Sequence, residues 1–128
     1  RFVLPGPRPA SVNAVCGRAN IRNDAVEEAI TWVVGPWRCQ ARIWTCDHMV
    51  VDFVLLAWDA TGEETARLDC CHNEIHVHMF DRQPPLRYVL HNLTGDPHRD
   101  NHAVHQAYEE CWNVFTSLAE GKRPWAKR

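Results

Sequence analysis

Five runs rich in β-branched and aromatic residues follow Pro36, and short polar turns separate them. Such runs are typical of β-strands. No turn between them is long enough to hold the crossover helix that parallel pairing requires, so the pattern predicts an antiparallel meander sheet of about five strands. The predicted strands are Arg38–Cys46, Met49–Trp58, Thr65–Cys70, Ile75–Phe80 and Leu86–His91.

A helical pattern precedes the first of these runs. Asp24 followed by Glu27 has the spacing of an N-cap with its capping-box partner, and Gly35-Pro36 supplies a stop signal. The sequence therefore predicts an N-terminal helix over Asp24–Val34. The end of this segment, Thr-Trp-Val-Val, also suits a strand.

A second helical pattern follows the last run. It begins at Asp96-Pro97, with Asp100 as an alternative start, and it ends at Gly121. Its apolar positions recur at steps of four and three and are Val104, Tyr108, Cys111, Phe115 and Leu118. One face of this helix is expected to pack on the sheet. Together the elements predict an α+β fold, in which the meander sheet packs against an N-terminal and a C-terminal helix.

Length and composition indicate a single globular domain over residues 1–128, since the chain has 128 residues and is 45% hydrophobic. The first twenty residues contain three prolines and no clear period, so we expect residues 1–20 to form an extended arm or an irregular lead-in. The longest apolar run, Met49–Trp58, is interrupted by Asp52 and is too short to span a bilayer. The sequence therefore predicts no membrane partner.

Charge and cysteine content indicate which classes of protein this chain does not belong to. A formal net charge of -2 argues against a protein that coats nucleic acid through bulk electrostatics. Six cysteines at irregular spacing fit no small secreted disulfide framework, which predicts a reducing, cytoplasmic location. Eight histidines are the unusual feature of the composition.

Three of the histidines lie in the stretch LDCCHNEIHVHMFDR, residues 68–82, which has the pattern of a β-hairpin with a loop at 71–74. The predicted cross-strand pairs are Asp69 with His76, Leu68 with Val77 and Arg67 with His78. Alternation then gives a polar face, Arg67, Asp69, His76 and His78, and a core face, Ala66, Leu68, Cys70, Ile75, Val77 and Met79. The apolar set fixes this register, because a one-residue slip would expose half of it.

The polar face has several interpretations. A solvated sheet face rich in imidazole needs no function, and a cross-strand Asp–His pair adds only about 0.2–1 kcal/mol of stability. A catalytic interpretation assigns His76 and His78 to acid–base chemistry, with Asp69 orienting His76 and Arg67 binding phosphate or developing negative charge. Two histidines and an arginine suffice to cleave RNA without a metal, since one imidazole deprotonates the 2′-hydroxyl and the other protonates the leaving oxygen.

A third interpretation is a metal site. His76 and His78 at i and i+2 on one strand are suited to ligate a divalent ion such as zinc, with Asp69 or His72 as third ligand.

The adjacent cysteines offer a fourth interpretation. Cys70, Cys71 and His72 would form a thiol-redox or structural zinc site, but their spacing matches no standard zinc pattern and Cys70 falls on the predicted core face.

The order Arg67-Leu68-Asp69, His72 and His76-Val77-His78, followed by a C-terminal helix, resembles small uncharacterised actinobacterial proteins. More loosely, it resembles the TumE-like toxins of bacterial toxin–antitoxin pairs. The similarity covers roughly Val50 to Leu118. It implies a cytoplasmic protein that pairs with an antitoxin and acts on RNA or another nucleic-acid-related target. The residues that it carries over are Arg67, Asp69, His72, His76 and His78.

The leading hypothesis from the sequence is a small toxin-like ribonuclease. His76 and His78 form its acid–base pair, and Asp69 and Arg67 support them. The alternative is a non-catalytic interaction module, with or without a divalent ion, in which the sheet or the C-terminal helix docks a partner.

Overall fold

A computed structural model describes residues 19–70 and 73–122 of the chain. These residues form a six-stranded antiparallel sheet with the strands in sequence order, and an α-helix that packs on one face. The strands are β1 (Val26–Val34), β2 (Trp37–Cys46), β3 (Met49–Trp58), β4 (Glu64–Asp69), β5 (Glu74–Met79) and β6 (Leu86–Asn92). A short 3-10 helix, Ala19–Asp24, precedes β1, and the α-helix α1 spans Asn101–Ala119. The α+β meander is therefore confirmed.

The predicted N-terminal helix over Asp24–Val34 is wrong, because most of this segment forms the edge strand β1. For the same reason the predicted count of five strands is one too low among the described residues. Glu27 caps no helix; its carboxylate binds Arg42 on β2. The β-branched and aromatic residues at the end of the segment favour a strand once β2 offers a hydrogen-bonding partner.

The five predicted strands agree with β2 to β6 to within one residue at each end. The helix prediction was correct at its C-terminal end, where Gly121 has a φ of 85° after the last helical turn. The helix starts later than Pro97, with Asp100 at the N-cap, so the alternative start is confirmed.

The main hydrophobic core lies between the sheet and α1. From the sheet it takes large side chains such as Phe53, Leu55 and Leu68, each fully buried. From the helix it takes Val104, Ala107, Cys111, Phe115 and Leu118. Burial raises the pKa of the Cys39 and Cys111 thiols to about 12, so both behave as small apolar core residues.

The opposite face of the sheet carries a second, smaller core. Ile21 of the 3-10 helix packs here with apolar side chains of β2 and β3, among them Trp44, Leu56 and Trp58. The polar residues of β4 and β5 share this face and lie beside the second core rather than on a fully solvated surface. Within the described residues, no helix combines the length and the apolar character that crossing a bilayer requires.

Candidate acid–base site on the sheet

The β4–β5 hairpin has the register that the sequence predicted. Asp69 lies opposite His76, Leu68 opposite Val77 and Arg67 opposite His78. The six residues of the predicted core face, Ala66, Leu68, Cys70, Ile75, Val77 and Met79, are each at most 1% exposed. Arg67, Asp69, His76 and His78 therefore share the face that points away from α1, because side chains alternate along each strand.

His76 lies between two carboxylates. Its Nε2 is 3.2 Å from Asp69 Oδ1, and its Nδ1 is 3.7 Å from Glu74 Oε1. The first contact is close enough for a hydrogen bond but is not aligned as one, and the second is longer than a hydrogen bond. His76 is only 2% exposed and Asp69 only 6%, so this pair forms the enclosed end of the site.

His78 is half-buried and lies next to His76 along β5. The two ring centroids are 4.7 Å apart with the ring planes nearly perpendicular, and Phe80 stacks on the other side of His78 at 5.4 Å. Burial lowers the pKa of His78, and the positive charges that His76 and Arg67 carry when protonated lower it further. Asp69 and Glu64 oppose this shift. At neutral pH His78 is therefore neutral and able to accept a proton.

Arg67 is held in place by Glu64. The Nε and Nη2 of Arg67 donate hydrogen bonds of 2.8 and 2.9 Å to the two oxygens of Glu64, which fixes the plane of the guanidinium. Its central carbon also lies 5.8 Å from the centre of the Phe80 ring. On the other side of His78, Arg87 of β6 is the cross-strand partner and forms an ion pair with Glu74. Two arginines thus flank His78 in one row across the sheet.

Exposure increases along this group of side chains. Asp69 and His76 are buried, His78 and Arg67 are half-buried, and Phe80 is 37% exposed. A molecule that approaches from solvent therefore meets Phe80 and Arg87 first, and then His78 and Arg67. We call Arg67, Asp69, His76, His78 and Arg87 the polar site.

Four neighbours of the polar site were missed by the sequence analysis: Glu64, Glu74, Phe80 and Arg87. Alternation along β5 contained a signal for two of them, since Glu74 and Phe80 are in phase with the two histidines. The sequence pattern places Glu74 in the loop at 71–74, whereas in the structure it is the first residue of β5. Finding Arg87 required the register of β6 on β5, which the sequence pattern does not give even though the meander predicts that these strands pair.

The metal interpretation stays a prediction. His72, the proposed loop ligand, lies outside the described residues, as does Cys71. Within the described ranges, 19–70 and 73–122, no group of three or more His, Cys, Asp or Glu side chains is arranged to hold a metal ion. Cys70 lies on the core face and is 1% exposed, as predicted for a structural residue.

Comparison with protein-family models, with curated proteins and with solved structures finds no match to this chain. The resemblance to TumE-like toxins therefore remains a prediction from the sequence pattern.

Proposed function

We propose that the protein is a histidine-dependent ribonuclease of toxin-like type that cleaves RNA without a metal ion. The observation that carries this proposal is the adjacency of two imidazoles, with ring centroids 4.7 Å apart, beside the Asp69 carboxylate. A pair of titratable groups in different environments is what general acid–base catalysis requires.

In this proposal His78 is the general base. Its lowered pKa keeps the ring neutral at pH 7, and its partial exposure allows contact with a substrate. The neutral ring removes the proton from the 2′-hydroxyl of a ribose. The 2′-oxygen then attacks the neighbouring phosphorus, and a 2′,3′-cyclic phosphate forms as the bond to the 5′-oxygen breaks.

His76 is the general acid in this scheme. Two carboxylates lie near its ring nitrogens, and protonation of the ring is compatible with both contacts. Because His76 is 2% exposed, it delivers its proton to the leaving 5′-oxygen at the boundary with His78 or through one water molecule. Asp69 orients the ring.

Arg67 and Arg87 supply positive charge where the phosphate carries its negative charge. Both lie in the row of His78, one on each neighbouring strand. A planar guanidinium held by a carboxylate, as Arg67 is by Glu64, is well suited to bind phosphate oxygens in a fixed direction. The antitoxin that the sequence resemblance implies would act by covering this face.

The test is a cleavage assay on single-stranded RNA in the presence of EDTA, with the wild type and the double variant His76→Ala/His78→Ala. We expect the wild type to release 2′,3′-cyclic phosphate ends and the double variant to be at least 10²-fold slower, roughly the contribution of acid–base catalysis. Expression of the wild type should arrest growth, and expression of the double variant should not.

The matched control is His98→Ala/His102→Ala, which removes two exposed imidazoles away from the polar site. This variant should cleave RNA like the wild type. Equal cleavage by the wild type and by His76→Ala/His78→Ala would refute the ribonuclease proposal. Loss of wild-type cleavage in EDTA, restored by zinc, would replace the metal-free mechanism with the metal interpretation.

A further inference from the structure

Phe80 carries an aromatic ring at the open end of the polar site. It follows β5 directly, and its backbone N–H donates a hydrogen bond of 2.8 Å to the carbonyl oxygen of Thr65. The ring is 37% exposed. In the part of the chain that the structure describes, Phe80 and Tyr88 are the two aromatic residues with exposed side chains. A large apolar ring thus remains in contact with solvent beside two arginines and a histidine.

Two neighbours fix the plane of the Phe80 ring. His78 is stacked on it, with 9° between the ring planes and 5.4 Å between the centroids. The central carbon of Arg67 lies 5.8 Å from the ring centre. Arg67 and His78 are directly opposite each other across β4 and β5, so both contact the ring from the same row of the sheet. The exposed part of the ring is therefore the side that is turned away from this row.

We infer that the open side of Phe80 stacks an unpaired base of the polynucleotide cleaved at the polar site, so that the protein binds single strands and not duplexes. The identity of this ligand rests on the proposed function. Proteins bind unpaired bases on exposed aromatic rings that lie beside positively charged side chains, because every base has a flat face to stack and a phosphate nearby. Phe80 and the neighbouring Arg67 and Arg87 provide both groups.

The distances assign different parts of one strand to Phe80 and His78. Aromatic rings pack with their centroids about 4.5–7 Å apart, so a base on the open side of Phe80 lies roughly 10–12 Å from the centre of the His78 ring. The base therefore contacts Phe80, and His78 is left to contact the ribose. A base inside a duplex is already paired and stacked, and taking it out costs a few kcal/mol. Duplexes are disfavoured for this reason.

Binding of a short single-stranded DNA oligomer to the wild-type protein tests the inference. DNA lacks the 2′-hydroxyl, so the oligomer is bound without being cleaved, and fluorescence anisotropy gives its Kd. We expect Phe80→Leu, which keeps an apolar side chain but removes the ring, to weaken binding by about 5- to 100-fold, the contribution of one stacked base. Phe80→Trp should bind at least as tightly as the wild type. The same oligomer annealed to its complement should bind the wild type at least 10-fold more weakly.

Tyr88→Leu is the matched control. Tyr88 is 36% exposed, nearly as much as Phe80, but it lies opposite Val77 and so is on the α1 face of the sheet. Its loss should leave the Kd for the single strand unchanged. Equal effects of Phe80→Leu and Tyr88→Leu, or a wild-type protein that binds the single strand no more tightly than the duplex, would overturn the inference.

An abasic oligomer of the same length separates stacking from charge. It carries the phosphates but no bases, so the wild type and Phe80→Leu should bind it with the same Kd. If Phe80→Leu weakened binding of the abasic oligomer as much as that of the normal one, the ring would act by holding Arg67 or His78 in place and not by stacking a base.

The proposed function and the base site can fail separately. If the wild type cleaves RNA but Phe80→Leu leaves the Kd for the single strand unchanged, the ribonuclease proposal stands and the base site is wrong. If the wild type does not cleave RNA but binds the single strand in a way that depends on Phe80, the ribonuclease proposal is wrong and the base site stands.

Discussion

The two histidines of β5 are the same residue type two positions apart, yet their surroundings differ. His76 lies close to the carboxylates of Asp69 and Glu74 and is almost fully enclosed. His78 stacks on Phe80 and is partly exposed to solvent. Under the proposed function, these different surroundings assign His78 to the base and His76 to the acid.

The titration of His78 can be measured directly. NMR of its ring protons should give a pKa below the ordinary histidine value of about 6.5, since burial disfavours the charged ring. Arg67→Met removes a nearby positive charge and should raise the pKa of His78 relative to the wild type. If His78 is the base, kcat/KM should rise with pH through the same midpoint, because only the neutral ring accepts a proton.

The matched control for this titration is Glu64→Gln. It removes a negative charge near the same ring, so it should lower the pKa of His78 further. If Arg67→Met and Glu64→Gln shifted the pKa of His78 in the same direction, the charges of Arg67 and Glu64 would not be what sets this pKa.

At the scale of elements, turn geometry fixes the hairpin formed by β2 and β3, which lies beside the strands of the polar site. The β2–β3 connection is the two-residue loop Asp47-His48, closed by the pair Cys46 and Met49. Both loop residues have a positive φ, 51° and 63°, which is typical of the tight turns that match the twist of antiparallel strands. The short loop was predicted from the sequence, but the left-handed backbone was not, since Asp-His carries no glycine to signal it.

This turn allows a stabilising substitution. Replacing His48 with glycine should raise the free energy of unfolding by about 1 kcal/mol, because a residue with a side chain is strained at positive φ and glycine is not. Urea unfolding followed by circular dichroism would measure the change.

The control for His48→Gly is Gln106→Gly on the exposed side of α1, which is expected to change stability in the opposite direction. In a helix interior glycine should lower the free energy of unfolding by about 1 kcal/mol. If His48→Gly destabilised the protein as much as Gln106→Gly does, the His48 side chain would have a structural contact that outweighs the backbone strain.

At the scale of the whole molecule, α1 joins the edge strand β1 to the centre of the sheet. Trp32 of β1 stacks on Trp112 of α1, with ring centroids 4.7 Å apart. Phe115 is fully buried and lies near the rings of both Trp32 and Trp37. Since β1 also carries Glu27, the helix supports the strand whose carboxylate binds Arg42 on the opposite face.

Phe115→Ala should lower the free energy of unfolding by about 3–5 kcal/mol, because it removes a buried ring and leaves a cavity beside the two tryptophans. Equilibrium unfolding in urea would measure this loss. Glu109→Ala on the exposed face of the same helix is the control and should change stability by no more than about 0.5 kcal/mol. Equal effects of Phe115→Ala and Glu109→Ala would mean that α1 does not stabilise the sheet through this contact.

The sequence by itself determined the β4–β5 hairpin and the face that its polar residues share. Leu68, Val77 and their apolar neighbours must all be buried together, and a period of two leaves only one register that achieves this. For the same kind of reason it determined α1, since apolar residues at helical spacing form a single face, and only this face can be buried against the sheet. The local sequence pattern is enough to predict a structure wherever only one arrangement of the segment buries all of its apolar side chains.

Tertiary structure alone decided the rest. The segment Asp24–Val34 carries helical and extended signals together, and hydrogen bonding to β2 made it a strand. The register of β6 on β5 brought Arg87 beside His78, and packing on the second face enclosed His76 and oriented Arg42. These outcomes depend on contacts between segments distant in sequence, whose energies exceed the small local preferences that a single chain pattern expresses.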